Sequence, residues 1–185
     1  NNPEKNAIIE ALGAEVHTHG HDFDEACKEA EARAKNEGLR LVHPANEALL
    51  IAGVSTCALE VIEALPDADA IVVPIGGGSL VSGTVLALRT LQPKVKIIGV
   101  QSERANALAQ SIEAGKLISL DSADTFADGL ATRQTFELPF SIVRDQLDEI
   151  VLVSEKEMRK GVRIALETTH NVAEGAAAAS YAAAY

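Results

Sequence analysis

Tryptophan is absent from this 185-residue sequence, and aromatic residues make up only 3% of it. A core must therefore be assembled from Val, Ile, Leu and Ala, the usual filling of parallel sheets covered by helices. Cysteine occurs twice, as Cys27 and Cys57, without C-x-x-C spacing. That argues against a disulfide framework or a zinc site, fits a reducing cytoplasm, and reads each thiol as a small buried apolar residue. There is no apolar run of roughly eighteen residues and no basic start leading into an apolar stretch, so neither a membrane-spanning helix nor a signal peptide is expected. Basic residues are outnumbered, 16 Lys and Arg against 27 Asp and Glu, for a formal net charge of −11. With no basic patch, the balance argues against nucleic acid as a partner. What is present, 47% hydrophobic residues over this length, suffices for the core of one domain or one and a fraction.

The most informative stretch is IVVPIGGGSLVSG, Ile71 to Gly83. A β-branched apolar run reads as a buried strand, Pro74 closes it, and Gly76, Gly77 and Gly78 allow successive N–H groups to converge on one point. Ser79 is an N-cap candidate, and a helix over 80–91 aims the positive end of its dipole at the same point. The pattern describes a phosphate cradle. A dinucleotide fingerprint fails, because Val81 stands where its third glycine belongs and Gln101 follows the next strand where an acidic residue belongs. A nucleoside-triphosphate loop fails too, because Thr84 and Val85 follow Gly83 in place of Lys and Ser/Thr. A phosphate monoester remains, with a ligand-free strand-to-helix turn as the plain alternative.

Taken in order, the sequence predicts a first helix from Pro3 to Gly13, a strand over 14–18, a helix from the capping pair Asp22 and Glu25 to about Asn36, and a strand over 39–42. An apolar helix follows over 48–64, its Gly53, Ser55 and Thr56 suggesting close packing. Then come the strand and glycine loop, a helix over 80–91, a strand over 95–100 and a helix over 105–114. Residues 119–135 read as a long loop. A helix over 136–147, a strand over 149–153, a helix over 155–169 capped by Ser154 and Glu157, and a small-residue helix from about Ala173 complete the pattern. Alternating helices and strands imply an open, mainly parallel twisted sheet flanked by helices.

His17, His19 and His21 would share one face of a strand, a conceivable metal site. Gly20 interrupts them and no fourth ligand lies nearby, so they read as solvated loop histidines. Asp22, Asp24, Glu25, Glu29 and Glu31 read as a cap and the solvent face of a helix. Glu174, between Ala173 and a run of small residues, is read either as a buried polar group or as a helix-start charge.

The segments GAEV (13–16), FDEA (23–26), VHPANEALLIAG (42–53), ALEVIEALPDADAIVVPIGGGSLVSG (58–83), VKIIGVQSE (95–103), ADGLA (127–131) and VAEGAAA (172–178) together resemble the fold-type II pyridoxal-phosphate enzymes. The threonine/serine dehydratase and serine racemase branch is the most similar. The resemblance covers essentially the whole chain in order. It implies that Gly76, Gly77, Gly78, Ser79 and Leu80 hold the 5′-phosphate of pyridoxal phosphate, that Gly129 lines its ring, and that Glu174 lies near the ring. It also implies a small amino-acid substrate that loses its α-proton into the cofactor's conjugated ring and expels a β-hydroxyl, giving a 2-oxo acid and ammonia after hydrolysis. A homo-oligomer is implied for the full-length protein.

Departures from the family pattern are as informative. Its Schiff-base lysine and its Ser-Gly-Asn substrate loop belong upstream of Asn1, and none of the lysines present matches that position, so no catalytic residue is expected in this chain. The segment that meets the pyridine nitrogen belongs after Tyr185. Ser79 replaces the more usual fourth glycine, and Ala45 stands where some racemases carry a ring-contacting Asn. Gln101 and Ala107 replace acidic residues that hold a divalent cation in racemase-like members, so no such metal site is expected. The sequence opens on Asn1 and stops within a helical pattern at Tyr185, and is therefore expected to be an internal-to-C-terminal fragment of a cytoplasmic dehydratase, inactive alone. Residues 1–42 are expected to complete the smaller domain and 43–185 most of the larger, cofactor-binding one. The alternatives are a serine or aspartate racemase or another β-eliminating or β-replacing enzyme of the same fold and, from another class, a non-catalytic Rossmann-like metabolite-binding module.

Overall fold

The computed structural model describes residues 2–185, which pack as two compact units, one ending at Leu41 and one spanning Val42–Tyr185. The first unit contains helices α1 (Pro3–Ala11) and α2 (Phe23–Glu37). Asn2 caps α1 by accepting the Glu4 N–H at 2.8 Å, with Pro3 at the first helical position. Asp22 caps α2 by accepting the Glu25 N–H at 2.9 Å, while Glu25 Oε2 accepts the His21 N–H at 2.9 Å, one residue before the usual capping-box partner. Gly38, at φ 67°, ends the helix in the left-handed conformation.

Residues 14–18 and 39–42 are not strands. A strand exists only through a partner's N–H and C=O groups, and neither stretch finds a ladder partner among the described residues. His17, His19 and His21 therefore share no strand face; all are exposed, and His17 Nε2 lies 2.7 Å from Glu15 Oε1. Asp24 departs from the solvent-face reading, being only 2% exposed in the first turn of α2, where the helix dipole favours a carboxylate. The cysteines depart as well. Cys57 is exposed, and Cys27 is half-buried with its thiol pushed up to about 11 by burial and by the Asp24 and Glu31 carboxylates.

The second unit is a parallel sheet of three strands, β1 (Ala70–Pro74), β2 (Lys96–Ser102) and β3 (Glu149–Val153), in the order β1-β2-β3. Val73 faces Gly99 across the first pair, and Val100 faces Val151 across the second. Side chains alternate between two faces as the pleat requires. Ile71, Val73 and Ile97 join one apolar cluster with Val81, Val85 and Leu88 of α4 (Ser79–Leu91), Leu108 of α5 (Ala107–Ala114), and Phe140 and Val143 of α6 (Glu137–Val143). Val72, Val100, Val151 and Val153 join a second cluster with Met158 of α7 (Glu155–Thr169) and Ala176 and Ala179 of α8 (Gly175–Ala184). Both faces of the sheet are thus covered, as an all-parallel sheet demands.

Helix α3 (Ala48–Ala64) packs on α4, and the residue that lets the two approach belongs to α4. A Cβ on Gly83 would stand 2.8 Å from the Ser55 backbone N and 3.0 Å from the Ile51 carbonyl oxygen, whereas Gly53 faces open space. The helix expected over 136–147 stops at Val143, and residues 144–148 turn back so that Asp148 can reach β2. No helix among the described residues is long and apolar enough to cross a membrane.

Asp148 ties the sheet to α4. Its Oδ2 accepts the Ile97 N–H at 2.7 Å and an Arg89 guanidinium N–H at 2.6 Å, and the same guanidinium donates to the Gln146 and Val95 carbonyls. The backbone hydrogen bond, followed by the arginine, holds the Asp148 carboxyl below the usual carboxylate range. Its contribution to stability is therefore present above the unfolded-state pKa and lost as the pH falls through the lower folded-state value. The stability difference between wild type and Asp148→Asn, measured by urea unfolding, is expected to be largest at neutral pH and to shrink on acidification. A difference that grows in acid would contradict this sign.

Candidate functional site

The glycine loop leaves the carboxyl end of β1, the edge at which open α/β sheets bind ligands. Ile75 keeps to the sheet for one more residue, its N–H donating to the Val100 carbonyl at 2.8 Å. Its own carbonyl accepts from Gln101 Nε2 at 3.4 Å. Gly78 then adopts φ 95° and is itself the N-cap of α4, so Ser79 is the first helical residue and not the cap. The reason is steric: the chain must turn through a left-handed angle there, which serine resists and glycine does not.

No side chain caps α4, and its first turn contains no acidic residue. The first-turn N–H groups and the positive end of the dipole are left facing the loop. Ser82 stabilises the turn from behind, its N–H and its hydroxyl both donating to the Gly78 carbonyl, at 3.0 and 2.7 Å.

Two distant parts of the sequence gather here, one against the loop and one behind it. A Cβ on Gly76 would collide with the Gly129 carbonyl oxygen. A Cβ on Gly129 would in turn lie 2.9 Å from Ala176 Cβ and 3.5 Å from Glu174 Oε1. Of the seven residues singled out in the sequence, Gly76, Gly77, Gly78, Ser79 and Leu80 are continuous, Gly129 packs on Gly76, and Glu174 reaches Gly129. Glu174 is exposed at the N-cap position of α8, so the buried-polar alternative for it does not hold. Gly129 sits in a 3₁₀ turn, Asp128–Leu130, where its N–H donates to Asp128 Oδ1 at 2.9 Å.

Several supporting residues escape a reading by motif. Glu155, which the sequence marks only as the first residue of α7, accepts the Phe126 N–H at 3.0 Å and the Ser102 hydroxyl at 3.2 Å. Burial raises its pKa, but hydrogen bonds from Phe126, Thr125 and Ser102 outweigh that, and the net shift is downward. The charged carboxylate anchors the long loop that presents Gly129. Gln101 is 1% exposed and spans three backbone groups, donating to the Ile75 and Ala105 carbonyls and accepting the Ala109 N–H. Ala45 and Phe136 wall Gly77, and Pro139 walls Gly78. The sequence signals for these walls are the VHPANEALLIAG segment of the resemblance, in which Ala45 replaces a ring-contacting Asn, and the start of a helix at Phe136, neither of which marks a wall of the glycine loop.

Among families of known sequence, the one described as "Pyridoxal-phosphate dependent enzyme" matches residues 1–185. The chain belongs to this family. An L-threonine ammonia-lyase of Thermotoga maritima is 40% identical over 172 residues, covering 93% of this chain and 43% of that protein. Maize serine racemase superposes with a TM-score of 0.90 at 30% identity, covering 97% of this chain and 54% of that one. The processed form of threonine deaminase isoform 2 from Solanum lycopersicum gives a TM-score of 0.90 at 30% identity, over 97% of this chain and 52% of that one. This family member thus spans about half the length of the relatives it matches. The fold is that of the fold-type II pyridoxal-phosphate enzymes, as the sequence resemblance implies.

The residues present fit the phosphate end of the family's cofactor. Ala45, Gly129 and Pro139 close around the loop so tightly that it admits no β-carbon, and the uncapped start of a 13-residue helix faces it. An anion is the natural complement of such a helix end.

Proposed function

We propose that this chain is the phosphate-gripping part of an enzyme that deaminates L-threonine or L-serine to a 2-oxo acid and ammonia. The observation that carries the reading is the packing of Gly129 on Gly76 in the glycine loop that leads into the uncapped start of α4, joined to 40% identity with a threonine ammonia-lyase. Backbone N–H groups from the glycine loop and the first turn of α4 would hold the 5′-phosphate, with Ser79 offering a hydroxyl. By the family resemblance, Gly129 would line the ring and Glu174, whose Oε1 lies near Gly129, would stand close to it. When bound, pyridoxal phosphate supplies an electron sink for a substrate that has lost its α-proton. This chain's share of the work is to bind and orient the cofactor, because the family's Schiff-base lysine has no counterpart among its residues.

On this reading, residues 1–42 end a smaller domain and 43–185 form most of the cofactor-binding one. The substrate is a small amino acid, the compartment is the cytoplasm, and the complete protein is a homo-oligomer. A serine racemase reading is the runner-up, favoured by the superposition on the maize enzyme. The test is activity in two samples. The 185-residue chain supplied with pyridoxal phosphate and either L-threonine or L-serine should release no ammonia, while the same chain joined to a relative's upstream and downstream segments should release ammonia and a 2-oxo acid. Turnover by the isolated chain, or D-serine from the joined one, would overturn the reading.

A further inference from the structure

The glycine loop is walled by two segments, residues 43–46 and 136–139. The first is folded on itself by one imidazole: His43 Nδ1 accepts the Ala45 N–H at 3.0 Å and the Asn46 N–H at 2.7 Å. A ring nitrogen that accepts two N–H groups bears no proton, so His43 is the neutral tautomer protonated at Nε2. The turn is fixed to the second segment twice. The His43 ring meets Phe136 edge to face, with centroids 4.6 Å apart at 70°, and Asn46 Oδ1 accepts the Leu138 N–H at 3.0 Å.

Both segments press on the loop itself. Ala45 is 1% exposed, and its methyl carbon lies 2.7 Å from where a Cβ on Gly77 would stand, with Phe136 Cε2 at 3.5 Å. Pro139 Cβ lies 2.8 Å from the corresponding point on Gly78. Loop and wall touch with no slack, so displacing the turn displaces Gly77. We propose that His43 is the positioning residue of the phosphate loop: its unprotonated Nδ1 holds the 43–46 turn against Gly77 and so sets where the loop's N–H groups point. The inference rests on the phosphate-binding reading for its consequence, and on the hydrogen bonds above for its mechanism.

The two can be tested apart. In ¹⁵N-labelled chain without ligand, the imidazole should show an acceptor-type Nδ1 and a protonated Nε2. His43→Asn keeps an acceptor the same number of bonds from Cα as Nδ1, and His43→Gln moves it one bond further. Hydrogen exchange at Ala45 and Asn46 should therefore accelerate at least about tenfold in His43→Gln and stay near wild type in His43→Asn. The Gly77 and Gly78 amide resonances should shift in the former only. Titration with pyridoxal phosphate should show weakened binding in His43→Gln, restored in His43→Asn. A protonated Nδ1, unchanged exchange in His43→Gln, or a His43→Asn variant as loose as His43→Gln would overturn the assignment; the wild-type tautomer and His43→Asn decide it even where His43→Gln fails to fold. Wild-type chain that keeps the exchange pattern yet ignores pyridoxal phosphate would leave the positioning role standing and sink the proposed function.

Discussion

Gly76→Ala is expected to lower stability by about 2–3 kcal/mol, as overpacking against rigid neighbours does. It should weaken pyridoxal phosphate binding on the order of a hundredfold. The added methyl meets the Gly129 carbonyl, with Leu130 Cα at 3.5 Å, and all of these atoms are backbone. No rotamer change can relieve the collision. Either the glycine loop or the Ala127–Ala131 turn must move, and both carry candidate cofactor contacts. Gly53→Ala is the matched control, because a Cβ there meets nothing within 4 Å. At that mid-helix position the substitution should stabilise by about 0.5–1 kcal/mol and leave binding alone. Urea unfolding and a fluorescence titration separate the two effects. Equal behaviour of both variants would mean that the contact between Gly76 and Gly129 is not tight.

Gln101→Leu is the second substitution with a large expected effect, a loss of about 2–4 kcal/mol. Leucine fills similar space but strands the Ala109 N–H and the Ala105 and Ile75 carbonyls in a place where the side chain is 1% exposed. Unsatisfied buried groups of this kind carry the full cost of desolvation. Because Ile75 immediately precedes the glycine loop, binding should weaken as well. A change under about 1 kcal/mol in thermal or urea unfolding would show that water reaches these groups.

Gln101 also illustrates what a sequence discloses and what it conceals. Its identity rules out a dinucleotide fingerprint, because a neutral amide stands where a carboxylate is needed. That it bridges β2, the loop before α5 and the carbonyl of Ile75 depends on contacts between residues up to 26 positions apart, which periodicity does not encode. The glycine loop is the reverse case. Its strand, turn and helix are local, so the β-branched run, the three glycines and the apolar helix spell it out, apart from the cap, which moves from Ser79 to Gly78 because backbone angle outweighs side-chain preference.

Helices α2 and α7 are legible for the same local reason through their caps, and α3 and α4 through their apolar runs. Strands are legible only where a partner exists, because a strand is a relation between segments. Residues 14–18 and 39–42 have suitable composition but no ladder, whereas β1, β2 and β3 have one another. The place of Gly129 beside Gly76 follows from the resemblance to the family. The physical tether that puts it there, Glu155 accepting from Phe126 and Ser102, has no signature beyond a glutamate at a helix start.

The most direct measurement is an amide-resolved titration of the ¹⁵N-labelled 185-residue chain with pyridoxal phosphate, pyridoxal and inorganic phosphate in parallel. If the loop grips the cofactor by its phosphate, pyridoxal phosphate and inorganic phosphate shift the amides of Gly76, Gly77, Gly78, Ser79 and Leu80, and pyridoxal does not. Gly129 then responds to pyridoxal phosphate but not to inorganic phosphate. Shifts at those loop amides with pyridoxal alone, or none with either phosphate, would contradict the account.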